Sequence, residues 1–259
     1  GMSTDVDARG IVPAAEIEGQ GIRLALDHSM SGTWKMGVAG SYQQTETIAG
    51  PTRFDGENFA FDAYVGWRSG PMFANLTAGA SRDTYDDIQR ATGVGPVVHT
   101  GETQGFSRGA RLQGGTWFDM GGFALSPRVA VTWVSTDVDG YIEQGVAAQY
   151  AYEDRKVEGI TGEVTLRAEA AAQGVNFYAE GGYRDSLDDS SDPVGTGLAG
   201  SPSQVLYREV EDAMGGQILA RVGGEFEWGP ARLDVGVSGR FGDSADTVMG
   251  GITLRMPLQ

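Results

Sequence analysis

The residues able to do chemistry are few. The chain has two histidines, His28 and His99, and no cysteine. A zinc centre needs three or four nitrogen, sulfur or carboxylate ligands held together, so none is expected. No G-x-S-x-G stretch occurs, which removes the nucleophile elbow of an α/β hydrolase. His99 shares the segment 83–102 with Asp83, Asp86 and Asp87. That is the minimum for an Asp/His hydrolase on a surface loop, but a base and an orienting acid without nucleophile or metal make a weak site. Asp185, Asp188, Asp189 and Asp192 could hold Ca²⁺ loosely, yet the EF-hand pattern is missing and a solvated acidic loop is the plainer reading. Gly195-Thr-Gly-Leu-Ala-Gly200 matches G-x-G-x-x-G with no strand before it and no helix after it, so it reads as a loop rather than a phosphate cradle. The expectation is no catalytic residue, no metal and no cofactor.

What does recur is a charged face. Arg23, Asp27, Asp62, Arg68, Arg111, Asp119, Arg128, Glu163, Arg167, Glu180, Arg184, Arg221, Glu225, Arg232, Asp234, Arg240 and Arg255 share one phase of a period-two pattern, with Lys35, Glu169 and Glu227. The opposite phase is small or apolar. An arginine facing lipid at mid-membrane costs about 2–4 kcal/mol, so these residues are expected to line a watery lumen. They could form a paired network that fills and stiffens the lumen, or border a hydrated channel for solutes or polypeptide. Twelve strands enclose a narrow pore, so the first reading must hold in part.

Positioning that face requires long strands. Residues 248–258 alternate without a fault: Val248, Gly250, Ile252, Leu254, Met256 and Leu258 fall on one side, Met249, Gly251, Thr253, Arg255 and Pro257 on the other. The same dyad marks segments 18–28, 33–45, 56–68, 71–82, 103–119, 122–136, 145–170, 173–185, 214–228 and 230–242. Segment 145–170 keeps one phase from Val146 to Leu166 and is expected to be a single strand that overshoots the membrane. Each segment meets the roughly nine to eleven residues that a spanning strand takes. The connections at 28–33, 68–71, 119–122, 172–174 and 228–230 are short. Those at 45–56, 83–102, 136–145 and 186–213 are longer, with 243–246 the exception. Short turns face the periplasm in outer-membrane barrels, which puts the C-terminus there. An even strand number then demands a twelfth, irregular strand within residues 3–16, a stretch that alternates badly and contains Pro13. Residues 1–17 are read as an N-terminal segment, first strand or linker, with Gly1-Met2 an expression scar. Residues 18–259 are read as the barrel. Aromatics near strand ends (Trp34, Trp67, Phe118, Phe123, Trp133, Trp228) suit interfacial girdles better than a sandwich core.

Composition agrees. The 259 residues carry a net charge of −16 and 41 glycines. Mean hydropathy is −0.24. No apolar run is long enough for a transmembrane helix, whereas a barrel strand exposes only half its residues to lipid. Strong acidity argues against nucleic acid as a partner. Four acidic groups (83–87, 185–192, 209–212, 243–246) are expected to lie in solvated loops between strands.

Several stretches carry a family resemblance: Gly21-Ile-Arg-Leu-Ala-Leu-Asp-His28 with Trp34-Lys-Met-Gly-Val-Ala-Gly-Ser-Tyr42, Ser107-Arg-Gly-Ala-Arg-Leu-Gln-Gly-Gly-Thr-Trp-Phe118, Leu125-Ser-Pro-Arg-Val-Ala-Val-Thr-Trp133, Val138-Asp-Gly-Tyr-Ile-Glu-Gln-Gly145 and Phe177-Tyr-Ala-Glu-Gly-Gly-Tyr-Arg-Asp185. Over about nine-tenths of its length the chain resembles the C-terminal β-barrel translocator domain of autotransporters, the type V secretion proteins. It is most similar to barrels that carry GDSL/SGNH esterase passengers. The resemblance implies an all-β, antiparallel transmembrane barrel of twelve strands in the bacterial outer membrane. It implies a non-enzymatic role: anchoring and helping to export an N-terminal passenger that this chain does not contain. The implied partners are outer-membrane lipid and lipopolysaccharide, the barrel-assembly machinery and the passenger polypeptide, with a monomeric barrel. The family commonly ends in an aromatic residue; this chain ends Met256-Pro-Leu-Gln259. Two other functions fit the residues, a free-standing porin-like or structural barrel and an outer-membrane hydrolase using the 83–102 loop.

Overall fold

The computed structural model describes residues 1–8, 13–92, 97–146, 148–199, 205–208, 215–229 and 231–256. Among them there is no helix. The strands are β1 (Met2–Val6), β2 (Ala15–Ser31), β3 (Trp34–Ala49), β4 (Thr52–Ser69), β5 (Met72–Ala91), β6 (Val98–Thr116), β7 (Phe118–Asp119) and β8 (Ala124–Val138). They continue as β9 (Tyr141–Ile142), β10 (Tyr150–Tyr152), β11 (Arg155–Ala172), β12 (Val175–Ser191), β13 (Val194–Leu198), β14 (Leu206–Arg208), β15 (Gln217–Trp228), β16 (Ala231–Gly242) and β17 (Ala245–Arg255).

The main sheet runs β11-β12-β15-β16-β17-β1-β2-β3-β4-β5-β6-β8, and β8 pairs back onto β11, so the sheet closes on itself. The two-residue β7 continues β6 past Trp117 and pairs with β8. The wall is therefore an antiparallel barrel of twelve strands, as the alternation predicts. Closure satisfies the main-chain donors and acceptors that lipid cannot, and a closed sheet does so without an edge. The faint first strand exists: β1 pairs with β17 (Met2↔Met249) and with β2 (Met2↔Gly19). Met2 thus belongs to the wall.

The two ends of the barrel differ. At one end the connections are tight. Gly70, Gly121, Gly174 and Gly229 take positive φ there, and Gln173 joins Gly174 with φ 53, a pair of left-handed residues that closes the β11–β12 hairpin. At the other end the strands run well beyond a membrane's thickness. The expected loop 45–56 is a two-residue turn at Gly50-Pro51 between long strands. The expected loop 83–102 is mostly the hairpin of β5 and β6. The acidic groups at 83–87 and 185–189 accordingly lie within β5 and β12, not between strands; Glu209, Glu211 and Asp212 fall outside the described residues. Beyond the membrane both faces meet water, so the alternation ends while the backbone ladder continues.

Segment 145–170 is not one strand. The wall strand begins at Arg155, and Tyr150–Tyr152 joins a separate four-stranded sheet, β14-β13-β10-β9, at the long-loop end. The G-x-G-x-x-G stretch supplies β13, with Gly200 outside the described residues. Strand β17 ends at Arg255, and Pro257, Leu258 and Gln259 are likewise outside them.

Candidate functional site

The dyad sorts side chains onto the two faces of this wall. Leu24 (72 % exposed), Val164 (63 %) and Ile252 (73 %) stand on the apolar face, largely uncovered by protein as lipid-facing residues must be. On the other face side chains reach one another over an intervening strand, which only the concave side of a closed sheet allows. Arg111 of β6 passes β8 to meet Glu163 of β11, 2.8 Å away, and also donates to Thr132. Arg128 of β8 and Arg167 of β11 both approach the Glu180 carboxylate of β12 at 3.6 Å. Arg167 also holds Glu169 at 2.7 Å.

Tyr178 completes this cluster, and sequence reasoning passed over it. It is 4 % exposed, donates to Asp234 at 3.3 Å and accepts from Arg221 at 3.3 Å. The Arg167 guanidinium lies 4.1 Å from its ring centroid. The ring can lie flat because Gly223 and Gly236 leave room: a Cβ at either would come within 2.3 or 2.5 Å of the Tyr178 hydroxyl. Glycines on this face are the only sign of it in the sequence.

Further round the wall Arg23 pairs with Asp62 at 3.0 Å, Lys35 pairs with Asp27, and Glu225 takes Arg232 at 3.5 Å and Arg255 at 3.0 Å. Arg68 and Arg128 border a cavity of about 910 Å³ at the tight-turn end, together with Lys35, Tyr64, Phe73 and Trp117. Arg128 sits 5.4 and 5.2 Å from the Phe73 and Trp117 ring centroids. Among the described residues Arg184 and Arg240 have no ion pair. Asp119 departs from the expected lumen role: it is exposed, and its carboxylate accepts from the Gly121 amide at 2.8 Å, holding the turn after β7.

A second cluster lies at the long-loop end. Arg90 of β5 sits opposite His99 of β6 in register. Glu143, from the element Val138–Gly145, drops onto both. Its carboxylate accepts from Arg90 Nε and Nη2 at 2.5 and 2.6 Å, and lies 3.0 Å from His99 Nδ1. The Tyr150 amide donates to it at 3.0 Å, and Arg90 stacks 4.4 Å over the Tyr150 ring. Burial alone raises the Glu143 carboxyl, but hydrogen bonds from Arg90, the Tyr150 amide and His99 outweigh it and hold it at about 2. His99 is 1 % exposed and its Nε2 is unpartnered. One expected neighbour of His99, Asp83, is engaged elsewhere: it accepts from Asn58 at 2.5 Å and from Ser107 at 3.0 Å inside the barrel. The cluster ties the β5–β6 hairpin to the segment after β8 and offers substrate no approach. Among the described residues no group of acidic or histidine side chains is arranged to hold a metal ion.

Comparison with known proteins places this geometry. The family model for the autotransporter beta-domain matches residues 1–251. Esterase EstA of Pseudomonas aeruginosa is 26 % identical over 168 residues, 60 % of this chain and 25 % of that protein. The chain thus spans about a quarter of the length of the curated relatives it matches. The translocator domain of autotransporter NalP from Neisseria meningitidis superposes with a TM-score of 0.82 at 12 % identity, covering 98 % of this chain and 84 % of that one. The beta domain of the Bordetella autotransporter BrkA gives 0.67 at 15 % identity, covering 97 % and 95 %.

Proposed function

The chain belongs to the autotransporter beta-domain family and is an outer-membrane β-barrel, and on that premise we propose that it is a translocator that anchors an N-terminal passenger and helps it reach the cell surface. One observation carries this reading. Among the described residues, every ion pair and cation–π contact inside the barrel joins strands no more than two places apart on the wall. The charges line the wall; they do not bolt it across. A lining of both signs stays hydrated and gives a polypeptide in transit no single sign of charge to bind. The lumen-phase residues named from the sequence, Asp119 apart, are then pore-lining.

In this reading the tight turns face the periplasm and the long hairpins and the small β9-β10-β13-β14 sheet stand outside. Surrounding lipid covers the apolar face, lipopolysaccharide meets the external rim, the barrel-assembly machinery inserts the chain, and the barrel works as a monomer. Burial of His99 leaves the hydrolase alternative without an accessible base.

The test is display. The chain, expressed behind an export signal and a folded reporter, should place the reporter where external protease removes it from intact cells. A barrel that inserts, shown by heat-modifiable migration, while the reporter stays in the periplasm would overturn translocation and favour the porin-like alternative.

A further inference from the structure

The outward face carries few cations. On β4, β5, β6 and β11 these are Arg53, Arg82, Arg108 and Lys156, each exposed. Arg53 is held by Glu46 at 2.7 Å and Lys156 by Glu158 at 2.8 Å. Among the described residues neither Arg82 nor Arg108 forms an ion pair; Arg82 donates to Gln104, at 2.5 Å, and Arg108 lies near enough to Lys156 and Glu158 to act on both electrostatically. They are neighbours. Arg82 pairs in register with Phe106, and Arg108 with Ala80, which sets the two guanidinium groups diagonally across β5 and β6 on one face.

Their height matters. A spanning strand takes about nine to eleven residues, and counted along β5 from Met72 this ends near Arg82. The register partners of Arg82 are Phe59, 59 % exposed, and Phe106, 50 % exposed, the aromatic edge of the lipid-facing band. An unpaired arginine is strongly disfavoured at the membrane centre and well tolerated near the interface. Arg82 and Arg108 thus set two guanidinium groups side by side at that height, neither held in an ion pair, with Lys156 and the Glu158 carboxylate further along the same face. Planar guanidinium groups bind phosphate through two parallel hydrogen bonds, which ammonium cannot do.

We propose that Arg82 and Arg108 form a binding site for the phosphate of a phosphorylated glycolipid in the outer leaflet, its acyl chains lying against Phe59, Phe61 and Phe106. The site rests on the reading of the long-loop end as external. It would seat one lipid at a fixed position on the β5–β6 hairpin.

The experiment uses the refolded full chain and native mass spectrometry with diphosphorylated lipid A. The wild-type barrel should retain one lipid A, and R82Q/R108Q should retain it at least tenfold less. Dephosphorylated lipid A should be lost to the same degree, and R82K/R108K should bind with intermediate strength. Equal retention by wild type and R82Q/R108Q, or equal retention of the dephosphorylated lipid, would overturn the site. With the same refolded chain reconstituted into vesicles, protease added outside should cut the long hairpins of an inserted barrel. A wild-type chain that fails to insert would instead overturn the membrane reading, and the site with it.

Discussion

Arg128 and Arg167 share one carboxylate: each guanidinium lies 3.6 Å from the same Glu180 oxygen, and all three side chains are about 85 % covered. Without Glu180, two like charges would face each other in a half-dry wall, with Glu169 left to serve Arg167. Removing one partner from a buried pair typically costs roughly 3–5 kcal/mol, because the remaining charge stays desolvated. Glu180→Gln should therefore lower the unfolding midpoint of the refolded barrel in urea, and E180Q/R128Q should recover part of the loss. An unchanged midpoint in E180Q would show that the cluster is fully hydrated.

Tyr178 depends on absent side chains. A Cβ at Gly236 would stand 2.5 Å from its hydroxyl. Gly236→Val should displace the ring, break the bonds to Asp234 and Arg221 and cost about 1–3 kcal/mol, the usual range for overpacking. Tyr178 fluorescence is masked by tryptophan, so the readout is the urea midpoint of G236V against G250V, where a Cβ meets open space. Equal midpoints would refute the packing argument.

The two faces predict opposite outcomes for one substitution. Val164→Arg puts a cation on the lipid face and should cost about 2–4 kcal/mol, slowing insertion into vesicles. Gln113→Arg adds a cation to the lumen cavity beside Arg128. Q113R should insert normally and shift single-channel selectivity in planar bilayers toward anions. Normal insertion of V164R would put the assignment of faces in error.

The Arg90–His99–Glu143 cluster makes the long-loop end acid-sensitive. Glu143 has a folded pKa of about 2, below the ordinary 4.5. A depressed carboxyl stabilises the fold fully above its unfolded value, and the contribution is lost as pH falls from about 4.5 through about 2. The difference amounts to about 3 kcal/mol. The protection of Tyr141–Tyr152 amides from hydrogen exchange, taken relative to the intrinsic rate at each pH, should fall over that window, and Glu143→Gln should lower it already at pH 7. Exchange that ignores both changes would mean the cluster does not hold this segment.

Strand existence and facing were legible because a barrel wall separates two solvents, and a period of two records that separation residue by residue. Leu24 against Arg23 and Val164 against Glu163 needed no coordinates. Strand ends were not legible. Past the membrane Thr84, Asp188 and their neighbours meet water on both faces, so nothing in the pattern marks them as strand. The break before Arg155 was hidden for the same reason, since Tyr150 and Tyr152 keep the phase of the wall strand while pairing elsewhere.

By itself, then, the sequence determined the class of solvent each residue meets, and with it the barrel, the approximate strand number and the charged interior. Only the tertiary structure decided who meets whom. Glu180 lies between Arg128 and Arg167 because β11 stands between β8 and β12, and Glu143 reaches His99 because the segment after β8 folds back over the β5–β6 hairpin. Alternation is a property of one strand and its environment. Partnership depends on register and closure, which arise only when the backbone ladder of the whole wall is complete.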